Sequence, residues 1–218
     1  MNDEIPAECQ RKIGHHDAFR TSHLRTPGRM QNTFANEAFF DELAAAAGAD
    51  PLEWRLQYLK EPRAKAVLED VARLSKWQTR ASPARNSKSP VARGRGVSFV
   101  KYDNDRTFVA LVAEVEVNRK TGAIRVTDVW CSHDCGQLIN PDGAINQIEG
   151  GIVQTISRTL LEELKFTATH VTSTDWATYP ILRFPEVPRT RRGNRRPPAS
   201  PSPCRTSSGS GARSARGC

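Results

Sequence analysis

No run in this sequence approaches the roughly 20 apolar residues that a membrane-spanning helix requires. The start, Met1-Asn2-Asp3-Glu4, lacks the basic and apolar regions of a secretory signal. Both absences point to a cytoplasmic protein, or to a periplasmic one only where a partner carries it. The stretch 189–218 holds no acid and no lysine, yet it has eight arginines, at 189, 191, 192, 195, 196, 205, 213 and 216. Removing these eight from 32 basic residues leaves 24, equal to the 24 acidic ones. The formal charge of +8 therefore resides in the tail, and the neutral body offers no case for nucleic acid. The tail also lacks aromatic residues between its arginines for base stacking. With almost no apolar side chains to offset the entropy of ordering, residues 189–218 are expected to be disordered.

A disulfide framework is absent as well, because the five cysteines, at 9, 131, 135, 204 and 218, are odd in number and scattered. Cys131, His133 and Cys135 form a C-x-H-x-C run that is unlike the usual zinc knuckle, and no second ligand pair follows it. Metal ligation by protein side chains is therefore not expected, and a strand end with two small thiols is the better reading.

What is present reads as an α+β chain: a short helical subdomain, an antiparallel hairpin sheet, a helix containing two adjacent glycines, and the basic tail. Residues 1–23 are polar and aperiodic and form an unassigned leader. Residues 24–78 make the helical subdomain. Pro27-Gly28 is a turn leading to a cap at Asn32 or Thr33 and a helix from about Phe34 to Ala47, burying Phe39, Leu43 and Ala46 and stopping at Gly48. Asp50-Pro51-Leu52-Glu53 supplies a cap, a first-turn proline and a reciprocal acid for a second helix. That helix carries Leu52, Leu56 and Leu59 on one side, and a third, from about Pro62 to Lys76, carries Val67, Val71 and Leu74.

Residues 79–94 are rich in Ser, Pro and Arg and read as a linker. Residues 95–188 form the second portion. Gly96–Val100 is a strand; Phe108–Val117 alternates Val109, Leu111, Ala113, Val115 and Val117 onto one face; a turn at Asn118–Gly122 leads to a returning strand, Ile124–Trp130. Further short strands are expected at Glu162–Phe166 and Ile181–Val187. The loop between them, Thr172–Pro180, is polar and aromatic, and either lines a pocket or is a solvated connection.

Between these elements lies the most informative stretch, Val129 to Leu160. Its helix has two faces: at about 100° per residue, Ile145, Ile148, Ile152 and Ile156 form a core stripe, while Gln147, Gly150, Gly151 and Gln154 gather opposite. Each mid-helix glycine costs about 1 kcal/mol relative to alanine, so the pair implies close approach by something. Either another helix or strand packs there, or a polar cofactor does, with Gln147 and Gln154 supplying amide donors and acceptors.

His133-Asp134-Cys135-Gly136, Ile139-Asn140-Pro141 and Gln147-Ile148-Glu149-Gly150-Gly151-Ile152-Val153-Gln154, together with Leu24–Leu59 and Gly94–Val117, resemble the C-terminal part of the large molybdenum-binding subunit of the xanthine dehydrogenase and aldehyde oxidase family. Its isoquinoline oxidoreductase-like and aldehyde dehydrogenase-like bacterial branches are the most similar. The resemblance covers roughly residues 20–188. It implies a molybdopterin cofactor with molybdenum, in bacteria often as the cytosine dinucleotide, and hydroxylation of an aldehyde or N-heterocycle with oxygen from water. It further implies that iron-sulfur clusters, and any flavin, reside on a partner subunit or domain, since no cysteine pattern here could hold such clusters. Gln147, Gly150, Gly151 and Gln154 would face the cofactor. Arg25, in Leu24-Arg25-Thr26-Pro27-Gly28, would orient substrate, although a proline replaces the aromatic residue expected beside it.

The resemblance also implies several hundred further residues on the N-terminal side, holding the other half of the site and supplied by a partner chain. The family's general base is a glutamate in a Gly-x-Gly-Glu segment shortly beyond Pro185-Glu186-Val187, where this sequence has Arg191-Arg192-Gly193-Asn194-Arg195-Arg196. Such Arg/Pro/Ser/Gly composition is what a shifted reading frame of GC-rich coding sequence yields. One permitted back-translation of Arg192 to Arg196, read two bases on, encodes Gly-Glu-Pro-Ala. The expectation is a large-subunit fragment, frameshifted at its C-terminus and inactive alone. The alternative is a non-catalytic relic or assembly piece that retains the fold.

Overall fold

The structure, a computed structural model, describes residues 24–81, 89–102 and 106–194. The expected leader 1–23 and most of the tail, 195–218, lie outside these residues. Element order is α1 (Arg29–Ala46), α2 (Pro51–Tyr58), α3 (Pro62–Ser75), β1 (Val91–Tyr102), β2 (Thr107–Asn118), β3 (Ile124–Asp134), α4 (Pro141–Leu160), a 3-10 turn (Phe184–Glu186) and β4 (Arg189–Asn194). No helix among the described residues is long and apolar enough to cross a membrane.

Helix α1 starts earlier than the expected cap at Asn32 or Thr33. Gly28 takes a left-handed φ of 72°, and its carbonyl accepts from Asn32 N at 3.1 Å, so the Pro-Gly turn itself opens the helix. The buried face is also displaced by one residue: Phe40 and Ala44 are buried, whereas Phe39 and Ala46 are exposed. Gly48, with φ of 63°, ends the helix, and Ala49 N reaches back to Ala44 O at 2.9 Å. Asp50 caps α2 by accepting from Leu52 N and Glu53 N, and its other oxygen receives Trp77 Nε1 and Arg80 N. Glu53 does not complete a reciprocal cap; it accepts from Thr79 Oγ1 instead.

The four strands lie in sequence order, with β1–β2 and β2–β3 antiparallel and β3–β4 parallel. The Asn118 side chain accepts from Lys120 N and Thr121 N, and Gly122, at φ 73°, completes the expected hairpin. Strand β1 extends back to Val91, into the stretch read as a linker. Its polar composition suits an edge strand, where Arg93 and Arg95 lie opposite Glu116 and Glu114 and pair with them.

Two further expectations are corrected. Glu162–Phe166 contributes only an isolated bridge, Phe166 to Val171, and Ile181–Val187 is loop and 3-10 turn. Prolines at 180, 185 and 188 withhold the N–H groups that a ladder needs. The strand forms after them, so residues 189–194, read as disordered tail, are β4. Its arginines are ordered by acids: Arg189 donates to Asp128 at 2.8 Å and Arg192 to Glu149 at 2.8 Å.

Both faces of the sheet are covered. On one, Val97, Phe99, Phe108, Ala110, Val112 and Trp130 pack with Leu52 and Leu59 of the α2 region and with Ala64, Val67, Leu68 and Val71 of α3. On the other, Val129 and Cys131 meet Ile152 of α4, flanked by Val109, Leu111, Val126, Ile148 and Ile156. Each large side chain fully buried this way contributes roughly 1.5–3 kcal/mol, so the first face dominates stability. The second is more loosely filled, and the candidate site lies there.

Candidate functional site between the sheet and the glycine helix

The turn out of β3 sets the position of α4. Asp134 points to the α3 side, where Arg63 donates to both of its oxygens, Nε at 3.0 Å and Nη2 at 2.7 Å. The same carboxylate accepts from Gly136 N at 2.9 Å, and Gly136 has φ of 76°. These bonds, Arg63's above all, hold the Asp134 carboxyl below the usual carboxylate range against the opposing effect of burial. Asn140 then caps α4 by accepting from Gly143 N at 2.9 Å, with Pro141 at the first helical position. The sequence signals for both junctions thus correspond to specific bonds.

Alternation along β3 sends Cys131 and His133 the other way, toward α4. Cys131 is buried, and burial pushes its thiol up to about 12. His133 is held below the ordinary imidazole range by burial, partly opposed by Asp134, so it is neutral; its Nδ1 is buried without a hydrogen-bond partner. Among the described residues no group of three His, Cys, Asp or Glu could hold a metal ion.

Helix α4 does not close fully onto the sheet. A cavity of about 590 Å³ separates them, floored by Val109, Leu111, Val129, Cys131 and His133 and roofed by Ile148, Gly151, Ile152 and Ile156. At its rim stand Arg25, Gln147, Gln154 and Arg158. Arg25 Nη1 donates to Gln154 Oε1 at 3.2 Å, and Arg158 Nη1 reaches Arg25 O at 3.5 Å. A Cβ on Gly151 would lie 3.8 Å from Arg25 Nη2, an ordinary contact.

Of the five residues singled out in the sequence, the structure therefore brings Arg25, Gln147, Gly151 and Gln154 to one cavity. Gly150 does not join them: it is exposed, and nothing lies within 4 Å of where its Cβ would be. Among the described residues only the Arg25 side chain lies on the glycine pair, against Gly151, and no helix or strand packs there. Arg158 was missed in the sequence, although a helical wheel places it about 20° from Gln147, at the centre of the amide and glycine face. The loop 172–180 does not reach the cavity; it closes on itself through Asp175, which accepts from Ala177 N and Thr178 N.

Gln147, Gly151, Gln154 and Arg158 of α4, with Arg25 from the segment before α1 lying against Gly151, form a rim of amides and positive charge. The sequence pattern of the Molybdopterin cofactor-binding domain matches residues 36–188. The chain belongs to this molybdopterin-binding family, that of xanthine dehydrogenase and aldehyde oxidase. It is 40% identical over 176 residues to a nicotinate dehydrogenase component of Pseudomonas putida, covering 78% of this chain and 15% of that protein. It is 34% identical over 168 residues to the beta component of isoquinoline 1-oxidoreductase from Brevundimonas diminuta, covering 77% of this chain and 21% of the relative. Quinoline 2-oxidoreductase from Pseudomonas putida 86 shares 38% identity over 44% of this chain and 12% of its own, with a TM-score of 0.41. The chain thus spans about a fifth or less of the length of these relatives.

The residues present suit molybdopterin. The amides of Gln147 and Gln154 would offer donors and acceptors to a pterin ring, the glycines would leave room for it, and Arg25 and Arg158 would offer charge to its phosphate.

Proposed function

We propose that this chain supplies one wall of the cofactor site of a molybdenum hydroxylase, with Gln147, Gly150, Gly151 and Gln154 facing the molybdopterin. The observation that carries this reading is the glycine pair: it lowers helix propensity by about 1 kcal/mol per residue, and among the described residues only the Arg25 side chain approaches it, at Gly151, while Gly150 has nothing near it. When bound, the group supplies the metal chemistry that transfers oxygen from water to carbon, either of an aldehyde or of an N-heterocycle. The names of the two relatives, a nicotinate dehydrogenase and an isoquinoline oxidoreductase, favour the heterocycle. This chain's own residues bind and orient: the amides fix the pterin, and Arg25, already held at Gly151 by Gln154, is placed beside it to orient substrate.

The remainder of the site and the electron path belong to partners in this reading: a polypeptide equivalent to the N-terminal part of the relatives, and an iron-sulfur subunit or domain. Large apolar side chains left exposed support such packing, among them Ile139 at 85%, Trp176 at 71% and Phe184 at 94%. Turnover by the chain alone is not expected, because the place where the family's glutamate base is expected carries the arginines of β4. A shifted reading frame accounts for that replacement, and resequencing the coding DNA tests it directly: the neighbouring frame should encode Gly-Glu-Pro.

Co-expression with the N-terminal part and an iron-sulfur subunit tests the cofactor role. Molybdenum and pterin should co-purify with the assembly, and both should be lost with Gln147→Ala or Gly151→Leu. An assembly that forms but retains the same low pterin content with or without this chain would reject the reading in favour of a non-catalytic piece. Molybdenum-dependent oxidation of an aldehyde by the isolated chain would reject the predicted inactivity.

A further inference from the structure

The cofactor-face residues account for the rim of the cavity beneath α4 but not for its apolar interior, which lies among Ile148, Ile152 and Ile156 and the sheet. We propose that it is a binding site for a small monoanion with a flat apolar body, an aryl carboxylate. It shares Arg25, Gln147, Gly151, Gln154 and Arg158 with the proposed cofactor site, and it is tested in the chain without that cofactor.

Three observations converge. First, the space is the right size and composition: about 590 Å³, within the range of roughly 300–1,000 Å³ typical of small-molecule sites, and walled by branched aliphatic side chains from both layers. An apolar slot of this kind is poorly hydrated, so a flat hydrocarbon body gains from entering it. Second, the lining includes Arg25 and Arg158 but no aspartate or glutamate. Neither arginine forms an ion pair among the described residues: Arg25 is engaged by a neutral amide and Arg158 by a backbone carbonyl. Two guanidinium groups without carboxylate partners at the rim of an apolar slot select an anionic head with an apolar body behind it. Third, the slot has an unsatisfied polar group in its floor, the buried Nδ1 of His133. A buried ring nitrogen without a partner is costly, and a heteroatom on the ligand's ring would satisfy it. The neutral state of His133 leaves it able to act there as donor or acceptor, according to tautomer.

The test is calorimetric titration of the full chain at pH 7 with 2-naphthoate, beside 2-naphthamide, which has the same body and no charge. Saturable binding of the acid at one site is expected, with the amide binding about tenfold more weakly or worse. Arg158→Met should reduce affinity for the acid by a similar factor and leave the amide unchanged, whereas Arg158→Lys should restore part of the loss. Ala144→Phe, which places a ring on the roof of the slot, should weaken both ligands, with thermal unfolding confirming that each variant is folded. Absence of saturable binding, equal affinity for acid and amide, or indifference to Arg158→Met each overturns the proposal. These outcomes are separable from the cofactor reading, which is measured by pterin content of the co-expressed assembly and not by naphthoate binding.

Discussion

Glu37 on α1 and Arg55 on α2 form a buried pair, with Nε 2.9 Å from Oε2 and the arginine side chain fully enclosed. The same Glu37 oxygen accepts Phe99 N of β1 at 2.8 Å, so one carboxylate joins two helices to the sheet. The rest of the guanidinium donates to Pro51 O and Glu37 O and pairs with Asp41 Oδ1 at 2.7 Å. Burial raises the Glu37 carboxyl above its ordinary value, and Arg55 opposes that rise.

Arg55→Met should therefore destabilise the chain by about 3–5 kcal/mol, since it leaves a buried carboxylate unpaired. Adding Glu37→Gln should recover part of that loss. Urea unfolding at pH 7 measures both; a single-mutant cost below about 1 kcal/mol would show that the pair holds nothing.

Acid should weaken the fold in two steps. His133, whose folded value is depressed below 6.5 by burial, contributes stability that is present above 6.5 and lost as pH falls through its folded value. Asp134, depressed below 3.8 mainly by Arg63, contributes stability lost only as pH falls below 3.8 through its folded value. Glu37 acts in the opposite sense: its raised value favours the fold below 4.5 and disfavours it as pH rises through the folded value. Unfolding free energies at pH 7.5, 5.5 and 3 check this. The His133→Gln curve should be flatter than wild type between the first two, and the gap between Asp134→Asn and wild type should narrow at the last.

Gly193 should not tolerate a methyl group. A Cβ there would collide with Asp70 Oδ2 and Leu74 Cδ1 of α3, and Asp70 is already fixed by Ser132 Oγ at 2.8 Å. Gly193→Ala is expected to cost about 1–3 kcal/mol and to raise amide exchange across 189–194. Gly94→Ala, whose Cβ would lie 3.9 Å from Val115, is the control and should have a much smaller effect.

Cys131, with its thiol pushed up to about 12 by burial, should resist iodoacetamide in the native chain at pH 8. Mass-mapped labelling should find half-buried Cys135 modified first, and both equally after urea. Early modification of Cys131 would mean that α4 leaves the sheet readily.

Local signals were legible wherever the chemistry was local. Asp50-Pro51 and Asn140-Pro141 start helices because a short polar side chain reaches N–H groups two or three residues ahead, whatever the rest of the chain does. The alternation of Val109 and Leu111 against Phe108, Ala110 and Val112 likewise separates the two faces of β2. The glycine and amide face of α4 was readable for the same reason: helical geometry fixes which side chains stand together.

Long-range relations were not legible. The strand expected at Ile181–Val187 fails because Pro185 within it, and Pro180 and Pro188 beside it, cannot donate, and β4 forms instead from residues that look like solvated tail until Asp128 and Glu149 are seen opposite their arginines. Which residue of α1 turns inward depends on Arg55, eighteen positions away, drawing Glu37 toward the core. By itself the sequence determined that α4 has a polar face spared of Cβ atoms and that its motif belongs to a molybdopterin-binding domain. Only the tertiary structure decided that Arg25 lies on that face at Gly151 and Gln154, that Arg158 meets it there, and that a cavity lies beneath, because those facts depend on how far a helix stands from a sheet.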